Sequence, residues 1–265
     1  MTALGVVVGT AAVVVLISLG AGLQRQALQS LGSGAQDIRI TSGVDMDGNT
    51  SAPQGAASTI LDAGLLARIE ALPGVDWVVV FEPVMAPLDV EAGRLCARSV
   101  RVVGVEPEDF ARLGFAAGAG ALDLRRGQAV LGARVPESLA RALLQRDAVP
   151  GAQDLVGERL TLYLTRRGDA GASSERAVRV EAAGVLAPRG SAYDFNIYIS
   201  HREALELNTW FFAQRRDPGR QGYPEVLVRM RDVRQTAGVE RQLAALGLNV
   251  LLRARAGGEP GRVFH

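Results

Sequence analysis

The sequence predicts an α+β chain. One N-terminal transmembrane helix precedes a split β-α-β/β-α-β subdomain of the ferredoxin-like kind, which carries a β-rich insertion. Three observations lead there. Residues Ala3 to Leu23 form a nearly unbroken apolar run. Two distant stretches, ARIEALPGVDWVVV and ERQLAALGLNVLLR, both read as a helix end, a glycine break and a buried strand. Between them the pattern changes to short alternating strands and loops.

The apolar run reads ALGVVVGTAAVVVLISLGAGL, and no charged side chain occurs from Met1 to Gln24. At about 1.5 Å per residue it spans roughly 30 Å as a helix, enough to cross a bilayer. A cleaved signal peptide is the alternative, with Gly20 and Gly22 at a cleavage-like spacing. No basic residue precedes the run, however, and Leu19, Leu23, Ala27 and Leu31 continue the helical pattern as a stalk toward Gly32-Ser33-Gly34. An anchor fits better. Gly5 and Gly9, then Ser18 and Gly22, place small residues four apart on one face. Such a face either admits a partner helix or reflects the general abundance of glycine in membrane helices. Arg25 is the first charge and lies after the span, so charge alone weakly favours a cytoplasmic soluble part.

Asp37 to Thr41 alternates as a short strand, and Ser42 to Thr59 is a polar loop rich in Gly, Ala and Pro. Leu61, Leu65, Leu66, Ile69 and Leu72 form one helix face stopped by Pro73-Gly74. The continuous run Trp77 to Phe81 reads as a buried strand. At the other end, Glu225 to Arg231 alternates with Val226, Val228 and Met230 inward. A helix follows with Asp232 as its N-cap and Gly247 as its C-cap, then a strand over Asn249 to Arg253. In the middle, strands are expected over Ser99–Val105, Ala129–Leu131, Arg159–Leu164, Ala177–Leu186 and Ile197–Ile199. A helix begins near Pro136, and Ser200 with Glu203 forms a capping box opening a helix to about Trp210. The divisions are 1–35 for the membrane helix and stalk, 36–83 and 224–265 for the halves of the split subdomain, and 84–223 for the insertion.

Composition excludes several function classes. The 265 residues hold 29 basic and 28 acidic side chains, so nothing draws the chain to nucleic acid. Every basic residue is Arg. Without lysine there is no Walker A, Schiff-base or kinase-type chemistry. A lone Cys96 forms no internal disulfide and reads as a small hydrophobe. His201 and His265 have no ligand partners at zinc spacing.

No catalytic, cofactor-binding or metal-ligating residue is nominated. Ser191-Ala-Tyr193-Asp194 is a polar loop; a triad there would have to recruit His201, and no G-x-S-x-G elbow is present. Glu106, Glu108 and Asp109 around Pro107 fit a helix N-terminus without a metal. The arginine pairs 125–126, 166–167 and 215–216 are expected in solvated loops. Trp210-Phe211-Phe212 is either core or a patch facing a partner.

The order of these stretches resembles a known family. The apolar opening, the stalk and DIRIT look like the start of FtsX/MacB-type ABC transporter permeases. RVVGVEPEDF, GQAVLGARV, VGERLTLYL and VRVEAAGVLAP then follow the order of a MacB-like periplasmic core domain. The resemblance implies a porter-type split subdomain outside the membrane and three further membrane helices. It implies a non-catalytic permease component in the cell (inner) membrane, single-pass here, that transmits ATP-driven conformational change for export or lipoprotein release, as in MacB-, FtsX- or LolE-like systems. The implied partners are an ATP-binding cassette subunit, a second permease in a homodimer or heterodimer, and a periplasmic adaptor or substrate protein, with no cofactor. No basic segment precedes the first helix and no second apolar run of membrane length precedes His265, so the chain reads as a fragment or truncated product. A stand-alone anchored binding or sensor domain is the alternative.

Overall fold

A computed structural model describes residues 37–41, 60–141, 150–167, 173–215, 217–246 and 248–251. The expected membrane span and stalk, the loop 42–59, Gly247, Arg216 and His265 lie outside these residues. Among the described residues no helix is long and apolar enough to cross a membrane.

The architecture is mixed α+β around one large sheet. Strands β1 (Asp37–Thr41), β2 (Val75–Pro83), β11 (Glu225–Met230) and β12 (Asn249–Leu251) lie side by side in the order β12-β1-β11-β2. Helix α1 (Ala63–Glu70) joins β1 to β2, and α6 (Thr236–Ala245) joins β11 to β12. Two β-α-β units therefore interleave their strands in one sheet. The ladder fixes which side chains share a face: Asp37, Arg229 and Trp77 align in one row, Arg39, Leu227 and Val79 in the next. The alternate residues Ile38, Ile40, Val226, Val228, Met230 and Val78 pack with Leu65 and Ile69 of α1 and Val239 and Leu243 of α6. Aspartate fixes the start of α1, since Asp62 Oδ1 accepts the Leu65 N–H at 2.8 Å.

The chain between β2 and β11 extends the sheet. It contributes β3 (Leu88–Ala92), β4 (Leu95–Ala97), β5 (Arg101–Val105), β6 (Ala117–Gly120), β7 (Gln128–Leu131), β8 (Arg159–Arg167), β9 (Ser173–Leu186) and β10 (Asn196–Ser200). Their order from β2 outward is β5-β10-β7-β9-β8-β3-β4, with β6 added against β9. Leu160, Leu162 and Leu164 of β8 are fully buried in alternation, as half-buried strands require. Helices α2 (Pro107–Arg112), α3 (Val135–Arg141), α4 (His201–Phe212) and α5 (Pro218–Gln221) are the remaining α-helices among the described residues, beside short 3-10 turns. Ser200 Oγ accepts the Glu203 N–H at 3.4 Å and so caps α4, but the reciprocal half of the expected capping box is not made: the Glu203 carboxylate accepts the Ser200 hydroxyl at 2.7 Å and the Gly127 N–H at 2.7 Å instead.

Two further expectations need correction. Asp232 does not cap α6: its carboxylate accepts the Arg234 N–H and caps a 3-10 turn over Val233–Gln235, and Gln235 precedes the helix. Arg166 and Arg167 lie in β8, not in a loop, because their strand continues past the apolar alternation to pair with Ser174 and Ser173.

Candidate functional site

The chain crosses twice between the four-stranded part and the interposed part. The first crossing is β2 itself. Residues up to Phe81 pair with β11, whereas Glu82 and Pro83 pair with Gly104 and Val103 of β5. The second is the start of β11, where Glu225 pairs with Phe81 on one side and Thr41 on the other. At both places the strands are held in hydrogen-bonded ladders, and the return from α4 to β11 runs through residues 213–224, where Tyr223 already packs with the four-stranded part.

Each crossing holds a buried polar network. At the first, the Asn208 side-chain amide of α4 donates to Glu82 Oε1 at 2.6 Å and to Pro83 O at 2.9 Å. Its Oδ1 accepts the Met85 N–H at 2.9 Å. Asn208 and Glu82 are both fully buried. At the second, the Glu225 carboxylate takes Arg39 of β1 at 2.5 Å and Arg101 of β5 at 2.6 Å. One buried carboxylate thus bridges a guanidinium from each part, with Arg101 donating a hydrogen bond to Oε2 and Arg39 in ionic contact with Oε1.

Beside these networks the sheet face opposite α1 and α6 is covered by the interposed part. Trp77, Val79, Phe81 and Leu227 pack there against Phe110, Leu113, Phe115, Tyr193 and Tyr198. Phe115 stands edge-on to Tyr193 at 5.6 Å between centroids. This shared core explains why Trp77 to Phe81 is apolar at every position: both of its faces are buried. Burial holds the Tyr198 phenol well above its ordinary range, while its OH donates to Tyr193 O at 3.1 Å. At the margin, Arg229 makes two bonds of 2.7 and 2.9 Å with Asp37 and lies 4.7 Å from the Trp77 ring. Hydrogen bonding to Asp37 raises the Arg229 pKa further. The adjoining crevice, with Arg189 and Ser191 on its far wall, encloses about 10 Å³, enough for about one water molecule.

The polar residues singled out in the sequence do not converge. Asp194 is buried and accepts backbone N–H groups from Arg189, Gly190 and Ser191 at 2.7–3.3 Å, so it shapes its own loop. His201 instead turns Nδ1 toward Glu106 at 3.2 Å. No Ser191–His201–Asp194 relay is assembled. Asp109 pairs with Arg112 at 3.0 Å, and its own burial pushes its carboxyl up. Among the described residues no group of three or more His, Cys, Asp or Glu is placed for a metal. Arg125 pairs with Asp123, Arg126 approaches Glu206 at 3.7 Å, and Arg215 is exposed. Cys96 is half-buried in β4.

Trp210 and Phe211 pack on the larger core, whereas Phe212 stays exposed. Arg166 donates to Trp210 O at 2.8 Å and lies 5.1 Å from the ring, with Arg176 at 6.0 Å. This fastens the β8–β9 hairpin to the end of α4. Sequence reasoning missed Asn208 and Glu225. The available signal for Asn208 was a polar residue on the apolar stripe Ala204, Leu207, Phe211.

A family model described as the MacB-like periplasmic core domain matches residues 1–246. No curated protein matches the chain. Three similar solved structures are the following domains. The periplasmic region of MacB from Actinobacillus actinomycetemcomitans is 12% identical, with 84% of this chain and 91% of that one covered and a TM-score of 0.48. The extracellular domain of the noncanonic ABC-type transporter YknZ from Gram-positive bacteria is 11% identical, with 81% and 99% covered and a TM-score of 0.46. A domain of a permease protein from Porphyromonas gingivalis is 18% identical, with 82% and 88% covered and a TM-score of 0.41.

Proposed function

Because the chain belongs to the MacB-like periplasmic core domain family, we propose that it is the extracytoplasmic domain, with the first membrane helix, of an ABC transporter permease. The family match over residues 1–246 carries this reading. In it, residues 1–35 form the membrane helix and stalk, 36–83 and 224–265 build the porter-type split subdomain, and 84–223 form the insertion. The domain carries out no chemistry of its own. It transmits motion generated by an ATP-binding cassette subunit across the cell membrane, for export or lipoprotein release as in MacB-, FtsX- or LolE-like systems. It works beside a second permease copy or homologue and contacts an adaptor or substrate protein outside the membrane.

The strand arrangement supports anchoring at one end. β1 begins at Asp37, and the antiparallel β12 ends with Leu251 opposite Arg39. The first residue of β1 and the last of β12 therefore lie at the same end of this strand pair, the geometry a domain needs when both flanks run to one membrane.

The test is a fusion of alkaline phosphatase after His265, expressed in a bacterial host. Activity in the membrane fraction is expected. A full-length, membrane-bound but inactive fusion would put the domain in the cytoplasm and remove the reading.

A further inference from the structure

We propose that the four-stranded part and the interposed part form a single lever with no hinge between them, locked by Glu225. Parts of one chain joined by linkers usually move relative to each other unless a large apolar interface joins them. Three observations here remove each source of such motion.

First, the sheet is continuous. β2 gives its first residues to β11 and its last two to β5, so bending between the parts must break ladder hydrogen bonds. Second, the shared aromatic core has no intervening polar layer. Phe81 and Leu227 from one part and Phe110 and Tyr198 from the other are at most 2% exposed. Third, side chains fix the chain at the boundary itself. Asn208 of α4 holds Glu82, Pro83 O and the Met85 N–H, the residues that follow directly on the switch from β11 to β5 pairing. Glu225 holds Arg39 and Arg101 across the second. A rotation of one part against the other would separate those two guanidinium groups from their common carboxylate, leaving buried charge unpaired. Displacement applied at the edge where β1 and β12 meet is therefore carried undiminished to the distant β8–β9 hairpin.

This inference does not depend on membrane topology, and its test is separate. A lever with no hinge opens as one cooperative unit, which amide hydrogen exchange of the full-length chain reads directly. Leu243→Ala in α6 truncates a fully buried side chain on the far side of the four-stranded part. Exchange of the slowest amides of β11 is expected to accelerate about 30-fold or more. The slowest amides of β8, in the interposed part, are expected to accelerate by the same factor. Ile69→Val in α1 is a milder substitute should Leu243→Ala fail to fold, with an expected factor of roughly 3 to 10 in both parts. Acceleration confined to β11 would overturn the single lever. In a Glu225→Gln background the two factors are expected to diverge, the β8 factor becoming the smaller while the ladder and the shared core keep it above one. Factors that stay equal there would overturn the locking role of Glu225.

Discussion

Replacing Asn208 with alanine strips three hydrogen bonds from one fully buried point. The amide nitrogen is lost from Glu82 Oε1 and Pro83 O, and the amide oxygen from the Met85 N–H. Two neutral bonds at about 1 kcal/mol each, and one to a carboxyl at about 2 kcal/mol, sum to about 4 kcal/mol. For a domain of about 200 residues that lowers the melting midpoint by roughly 8–16 °C, read by circular dichroism. Asn208→Asp sharpens the test. The new carboxyl replaces an amide 2.6 Å from Glu82 Oε1, and two carboxyls at that distance do not both ionise. One folded-state pKa is then raised above its unfolded value of about 4. An acid of that kind holds its proton more tightly when folded. Relative to the wild type, Asn208→Asp is therefore least destabilised below about pH 4 and loses stability as pH rises through that value. A shift of under about 3 °C for Asn208→Ala, or a pH-independent deficit for Asn208→Asp, would refute a Glu82–Asn208 clamp at the first crossing.

Three further outcomes follow from individual positions. Burial raises the folded pKa of Tyr198, so its proton is held more tightly in the folded state and stability falls as pH climbs past about 10; Tyr198→Phe is expected to lessen that alkaline loss in denaturant titrations. Gly238 lies in α6 with open space where a Cβ would sit, whereas a Cβ at Gly184 would lie 2.3 Å from Ala121 O. Gly238→Ala is thus expected to stabilise by about 0.5–1 kcal/mol and Gly184→Ala to destabilise by more than about 2 kcal/mol, both measured by thermal melts. Ala213 ends α4 at φ 53°, a conformation glycine adopts without strain, so Ala213→Gly is expected to raise stability by about 1 kcal/mol.

What the sequence made legible were elements whose own side chains decide them. Leu160, Leu162 and Leu164 alternate, and each is buried. Ser200 caps the helix through the Glu203 N–H as the spacing implies, because an N-cap contact is made within one turn. The strands that escaped notice include β6, whose residues AGAG have almost no side chain to carry a pattern. Its place is set by a neighbour: it pairs with β9, where Gly184 permits the close backbone approach. The polar clamps were illegible for a different reason. Asn208 and Glu82 lie 126 residues apart, and nothing local reports that a polar residue on one apolar stripe answers a carboxyl ending a distant strand. The arginines at 166 and 167 misled because charge was taken for solvation. Arg166 instead runs along Trp210 and finds a carbonyl there.

Interleaving the two β-α-β units has a mechanical consequence that two consecutive units would lack. In the order β12-β1-β11-β2, the strand leading out to the interposed part and the strand returning from it are neighbours. Phe81 and Glu225 therefore face each other at the boundary, hydrogen-bonded rather than held on separate tethers. A paired ribbon resists twisting far better than two free strands, because any relative rotation must shear its ladder. Glu225 sits at the end of that ribbon, between Arg39 behind it and Arg101 ahead. The residue that can bridge the two parts is thus fixed by topology, and an acidic side chain there pairs with a cation from β1 on one side and one from β5, beyond β2, on the other.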